Sequence, residues 1–116
     1  MSNTIKIIKR NLHPKQLHKI NWSLTNRMNG HCYHASAALK LLHPELNLHV
    51  GKWNGEIHWW NSDKNGNIID ITAEQYDTPF PYHKGRIWNK KIIMSYPLKR
   101  LLKAIENDNT KWFTYE

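Results

Sequence analysis

A single cysteine among 116 residues leaves no partner for an internal disulfide, so a small disulfide-stapled scaffold is excluded. No apolar run approaches the roughly 18 residues that signal a membrane-spanning helix, and no charged-then-apolar leader precedes a small-residue cleavage site. These absences predict a soluble protein of a reducing cytoplasm with no membrane partner. Glycine and proline, five of each, are scattered singly rather than gathered into a linker, and no repeat or low-complexity tract interrupts the chain. One domain covering residues 1–116 is therefore expected. Acidic side chains are also scarce: 9 Asp and Glu face 17 Lys and Arg, a net charge of +8. That balance favours anionic partners, either an acidic protein or a nucleotide-like anion. Nucleic acid fits the charge as well, but no phosphate-binding glycine loop, zinc-finger spacing or nucleic-acid motif accompanies it.

What the chain does contain reads as an α+β pattern. "TIKIIKR" alternates apolar and polar residues and predicts a short strand, and "HPKQLHKI" predicts a helical turn opened by Pro14. Cys32, Ala35, Ser36, Leu39 and Leu42 recur at helical spacing until His43 and Pro44 end the run. "LNLHVGKW", "EIHWWNS" and "NIIDIT" predict three strands of an antiparallel meander, with "DKNGN" turning between the last two, and "NKKIIMS" predicts a further strand. "YPLKRLLKAIEN" puts Leu98, Leu101, Leu102 and Ile105 on one face of a C-terminal amphipathic helix, with Lys99, Arg100 and Lys103 opposite.

The lone cysteine stands in "NGHCYHASAALKLL". Asn29 and Gly30 suit a turn, which places Cys32 in the first turn of its helix, where free N–H groups and the helix dipole favour a thiolate. Cys32 also lies on the apolar stripe of that helix, as a buried structural cysteine would. The two readings separate only through partners. A nucleophilic thiol needs an imidazole within hydrogen-bond reach and a third polar group to orient that imidazole. His58 and Asp70, on adjacent predicted strands, suit those roles.

Strand parity decides whether His58 and Asp70 can meet. A two-residue Asn65-Gly66 loop sends them to opposite faces of the sheet. A three-residue loop of Lys64, Asn65 and Gly66, with Gly66 left-handed, pairs Asp63 with Asn67 and makes Asp70 a same-face diagonal neighbour of His58. A lesser role for Asp70, closing a strand before a helix capped by Thr72, also fits the sequence.

Together "GHCYHASAAL", "HWW" and "IIDITAEQY" resemble the papain-like cysteine fold, closest to its transglutaminase-like and arylamine-acetyltransferase-like branches, where Cys, His and Asp follow in that order. They also resemble small phage-encoded proteins with a "GxC…HxW…DxTxxQ" pattern and a later segment like "YHKGRIWNKKIIMSYPLKRLLKAI". The resemblance implies a helix presenting Cys32 against an antiparallel sheet that presents His58 and Asp70. The implied activity is cysteine-dependent hydrolysis of an amide, isopeptide or ester, in the host cytoplasm and against a host factor if the chain is phage-encoded. Transglutaminase-like acyl transfer or deamidation at the same thiol is the alternative, and a non-catalytic basic binder of a nucleotide or acidic host protein is another. The chain departs from the family in its short Cys-to-His separation and in having no room for a second lobe.

No cofactor is called for. An acyl-transfer site also needs oxyanion donors. The Cys32 backbone N–H is one, and since no Gln directly precedes the cysteine, Asn26 or Asn29 is the side-chain candidate, with Gln16 further away. Trp59, Trp60 and Gln75 are substrate-binding candidates, although core packing is the usual fate of large aromatics in a small domain. His31, Cys32, His34 and His58 suggest zinc by type, but their spacing and the missing second cysteine argue against a metal site.

Overall fold

Asn54 and Gly55, with φ of 52° and 78°, form a two-residue turn whose left-handed pair matches the twist of the strands it joins. This turn links β1 (Asn47–Trp53) to β2 (Glu56–Ser62), which pair from Trp53 with Glu56 to Asn47 with Ser62. The computed structural model describes residues 2–12, 31–73 and 79–114. Around the hairpin lie α1 (Ser2–Asn11), α2 (His31–Leu42), β3 (Ile68–Ile69), a 3-10 turn (Tyr82–Lys84), β4 (Arg86–Ile87) and α3 (Tyr96–Thr114). The strands make one antiparallel sheet ordered β3-β2-β1-β4. The protein is thus a small α+β domain. None of the described helices is long and apolar enough to cross a membrane.

β1, β2 and β3 form the expected meander, but β3 stops after Ile69 and the chain turns at Ile71 and Thr72. Two expectations fail. "TIKIIKR" lies in α1, because Ile5, Ile8 and Leu12 also fit a helical stripe and that stripe has helices to pack on. Arg10 fastens α1 to α3 through two hydrogen bonds of 2.7 Å to Asp108. "NKKIIMS" is no strand; the fourth strand is β4, two residues that pair Ile87 with His49 and Arg86 with Val50. The backbone of Ile93 instead finds its partner in Tyr33, whose hydroxyl accepts from its N–H at 3.0 Å and donates to its carbonyl at 2.8 Å.

α2 sits at the centre. His34 through Leu39 are all buried, and the small side chains of Ala35, Ser36, Ala37 and Ala38 let α1, α3 and the sheet approach closely. Leu42 departs from the expected stripe and is exposed. α3 is capped by Ser95, whose hydroxyl accepts from the Leu98 N–H at 3.3 Å. It buries Leu98, Leu101 and Ile105 and leaves Lys99, Arg100 and Lys103 in solvent.

Candidate active site

β2 presents two unlike faces. Trp59 and Asn61 look toward α2: Trp59 meets the ring of Tyr33 edge-on at 4.8 Å, and Asn61 donates to the Ser36 carbonyl at 3.0 Å. By strand alternation His58, Trp60 and Ser62 take the opposite face. The turn after β2 then fixes where Asp70 falls. Asp63 N–H donates to the Asn67 carbonyl at 3.0 Å, Gly66 has φ of 85°, and Ser62 pairs with Ile68. The loop is therefore the three-residue one, and Asp70 shares the face of His58. Asp63 holds this loop by accepting from the backbone of Asn65 and Asn67, both at 2.9 Å, and from the Asn67 amide. The Asn67 bond, followed by these backbone bonds, keeps the Asp63 carboxyl below its usual range.

His58 Nε2 donates to Asp70 Oδ2 at 2.7 Å, with both side chains almost wholly buried. Tyr82 donates its hydroxyl to the same Oδ2, also at 2.7 Å. Cys32 completes the group. It lies in the first turn of α2, is 3% exposed, and has its Sγ 4.0 Å from the Ile57 carbonyl. Ile57 immediately precedes His58, so the sulfur stands close to the imidazole and contributes to its electrostatics. β3 pairs with β2 only at Asn61 and Ser62. The Ile57–His58 end of β2 has no β3 beside it, and Cys32 approaches the strand there.

Burial alone would push the His58 imidazole down; its hydrogen bond to the Asp70 carboxylate, followed by the influence of the neighbouring Cys32, outweighs it and holds the ring at about 9. His58 is consequently an imidazolium at neutral pH, buried between an acid and a sulfur. Its ring also stacks on Trp60, with centroids 5.7 Å apart, and leans on Phe80 at 5.1 Å. Trp60 also stacks with His49, with centroids 5.6 Å apart. His49 contacts Ser62 at 2.7 Å, and burial lowers its tendency to take a proton.

Of the residues singled out from sequence, Cys32, His58 and Asp70 come together. Trp60 is 1% exposed and packs against the His58 ring. Trp59 is half-buried beside Tyr33 and Trp88, on the face that carries the exposed Ile57. Asn26, Asn29, Gln16, Gln75 and the turn opened by Pro14 lie outside the described residues. Tyr82 and Phe80 were not foreseen: "FPYHKG" carries no periodicity, and its tyrosine acquires meaning only from the fold. Among the described residues no group of three or more His, Cys, Asp and Glu is arranged to hold a metal ion. Comparison of the chain with family models, with curated proteins and with solved structures found no match.

Proposed function

We propose that this protein is a small papain-like cysteine hydrolase in which Cys32 is the nucleophile, His58 its acid and base, and Asp70 the group that orients His58. The single observation that carries this reading is the convergence of Asp70 and Cys32 at one buried imidazole: Asp70 is bonded to His58 Nε2 at 2.7 Å, and the Cys32 Sγ lies 4.0 Å from the carbonyl of the adjoining Ile57. A purely structural cysteine has no need of a charged histidine. In the reaction the Cys32 thiolate adds to a carbonyl carbon, and the electron pair of the C=O bond moves to oxygen. The Cys32 backbone N–H, in the first turn of α2, is the main-chain donor this reading assigns to that oxygen. Collapse of the adduct expels the amine or alcohol, which takes its proton from the His58 imidazolium. Neutral His58 then removes a proton from water as it attacks the thioester, and the acid product leaves with Cys32 restored. Asp70 keeps its negative charge throughout and fixes the ring that carries the proton.

The experiment is acylation by an activated ester such as p-nitrophenyl acetate, read by mass spectrometry under denaturing conditions. An acetyl group on Cys32, formed faster than on free cysteine at the same pH and lost in Cys32→Ser and His58→Ala, supports the reading. Acylation no faster than that of free cysteine would remove it.

A further inference from the structure

We propose that Tyr82 is a positioning residue of this site, locking the Asp70 carboxylate so that Oδ2 faces His58. The inference rests on the reading of Cys32, His58 and Asp70 as one coupled site. Asp70 follows a two-residue strand at a chain turn, so its backbone is held by little sheet pairing. Its two carboxylate oxygens are chemically equal. They are not equally engaged: Oδ2 accepts from both His58 and Tyr82 at 2.7 Å, whereas Oδ1 is buried with no hydrogen-bond partner among the described residues. With His58 alone, rotation about the Cβ–Cγ bond exchanges the oxygens and loosens the contact. A second donor arriving from another direction at the same oxygen fixes that torsion.

Tyr82 is equipped to hold its own place. It belongs to the 3-10 turn between Phe80 and Gly85, and its ring meets Trp60 edge-on at 5.1 Å. Phe80 contacts Trp60 at 5.4 Å and His58 at 5.1 Å. The turn therefore registers against the same indole that backs the imidazole, so hydroxyl, carboxylate and imidazole share one frame. The titratable groups around His58 among the described residues are Cys32 from α2, Asp70 after β3 and Tyr82 acting through Asp70. His49 of β1 stacks with Trp60, as His58 does, and Gly51, opposite His58 on β1, has no side chain.

The test is Tyr82→Phe, which keeps the ring and its packing and removes only the hydroxyl. Its readouts are the His58 titration by NMR and the rate of Cys32 alkylation against pH. The His58 midpoint should fall by about half a unit to one unit, and alkylation at pH 6 should slow by roughly 3-fold to 10-fold. A folded variant with the His58 midpoint unchanged or raised would overturn the proposal. A double-mutant cycle supplies the second check: in an Asp70→Asn background, Tyr82→Phe should move His58 no further, and an additive effect would assign the tyrosine a packing role alone. Because the His58 titration is read without any substrate, it judges Tyr82 even if the acylation experiment finds no catalysis.

Discussion

Gly85 lies so close to the Cζ2–Cη2 edge of the Trp60 indole that a Cβ at residue 85 would clash with both Cη2 and Cζ2, with the Val50 carbonyl oxygen 3.2 Å away. The φ of Gly85 is an ordinary −91°, so the requirement is for space and not for an unusual backbone conformation. Gly51 takes part in the same close approach, since its added Cβ would meet Cη2 of Trp60 at 2.9 Å. Two glycines thus admit one tryptophan, and that tryptophan backs His58.

Gly85→Ala is accordingly expected to cost about 1 to 3 kcal/mol, because neither the buried indole nor the backbone can give way freely. Urea unfolding should show the loss as a lower midpoint with an unchanged slope. The same variant should also slow Cys32 alkylation, since a displaced Trp60 no longer supports the imidazole.

The loop that sets the register makes a separate demand. Gly66 has a positive φ of 85°, which Ala adopts only with strain and Asn tolerates better. Gly66→Ala should destabilise the protein by about 1 kcal/mol, and Gly66→Asn by less. Comparison of the two unfolding midpoints checks this. Equal losses would mean that the backbone conformation is not the cause.

Stability should depend on pH through His58. The group titrates near 6.5 in an unfolded chain and at about 9 in the folded protein. Its contribution is therefore fully present below about 6.5 and is lost as pH rises through about 9, amounting to about 3 kcal/mol. Urea unfolding at pH 6, 7.5 and 9 should show a decline in wild type that is much flatter in Asp70→Asn. A stability that rises over this interval would contradict the charged state of His58.

The parts of this arrangement that lay within reach of sequence are those fixed by local rules. Cys32 in a first helical turn follows from Asn29-Gly30 and the Ala-rich stripe, and the alternation in "EIHWWNS" puts His58 on a definite face. The three-residue loop could be weighed against the two-residue one because each predicts a different parity, and Asp63, by capping the loop, selects the longer. What escaped depends on tertiary partners. The isoleucines of "TIKIIKR" satisfy either period, and helices waiting to receive them decide for α1. "NKKIIMS" has strand composition, yet the hydroxyl of Tyr33 takes up the backbone of Ile93 from 60 residues away. Trp60 and Tyr82 are amphipathic side chains whose burial is set by glycines and a turn remote in sequence.

The coupling of Cys32, His58 and Asp70 is tested most directly by the rate of Cys32 alkylation against pH in wild type, His58→Ala and Asp70→Asn. Iodoacetamide is used because it is a small reagent and Cys32 is only 3% exposed, and circular dichroism checks that each variant is folded. Wild type should keep a high rate at pH 6, where an ordinary thiol is nearly unreactive, if the three groups act as one site. Both variants should lose that low-pH reactivity by about 10-fold or more, with His58→Ala the more severe. Three superimposable profiles on folded protein would contradict the account, because Cys32 would then be indifferent to the histidine and aspartate that meet beside it.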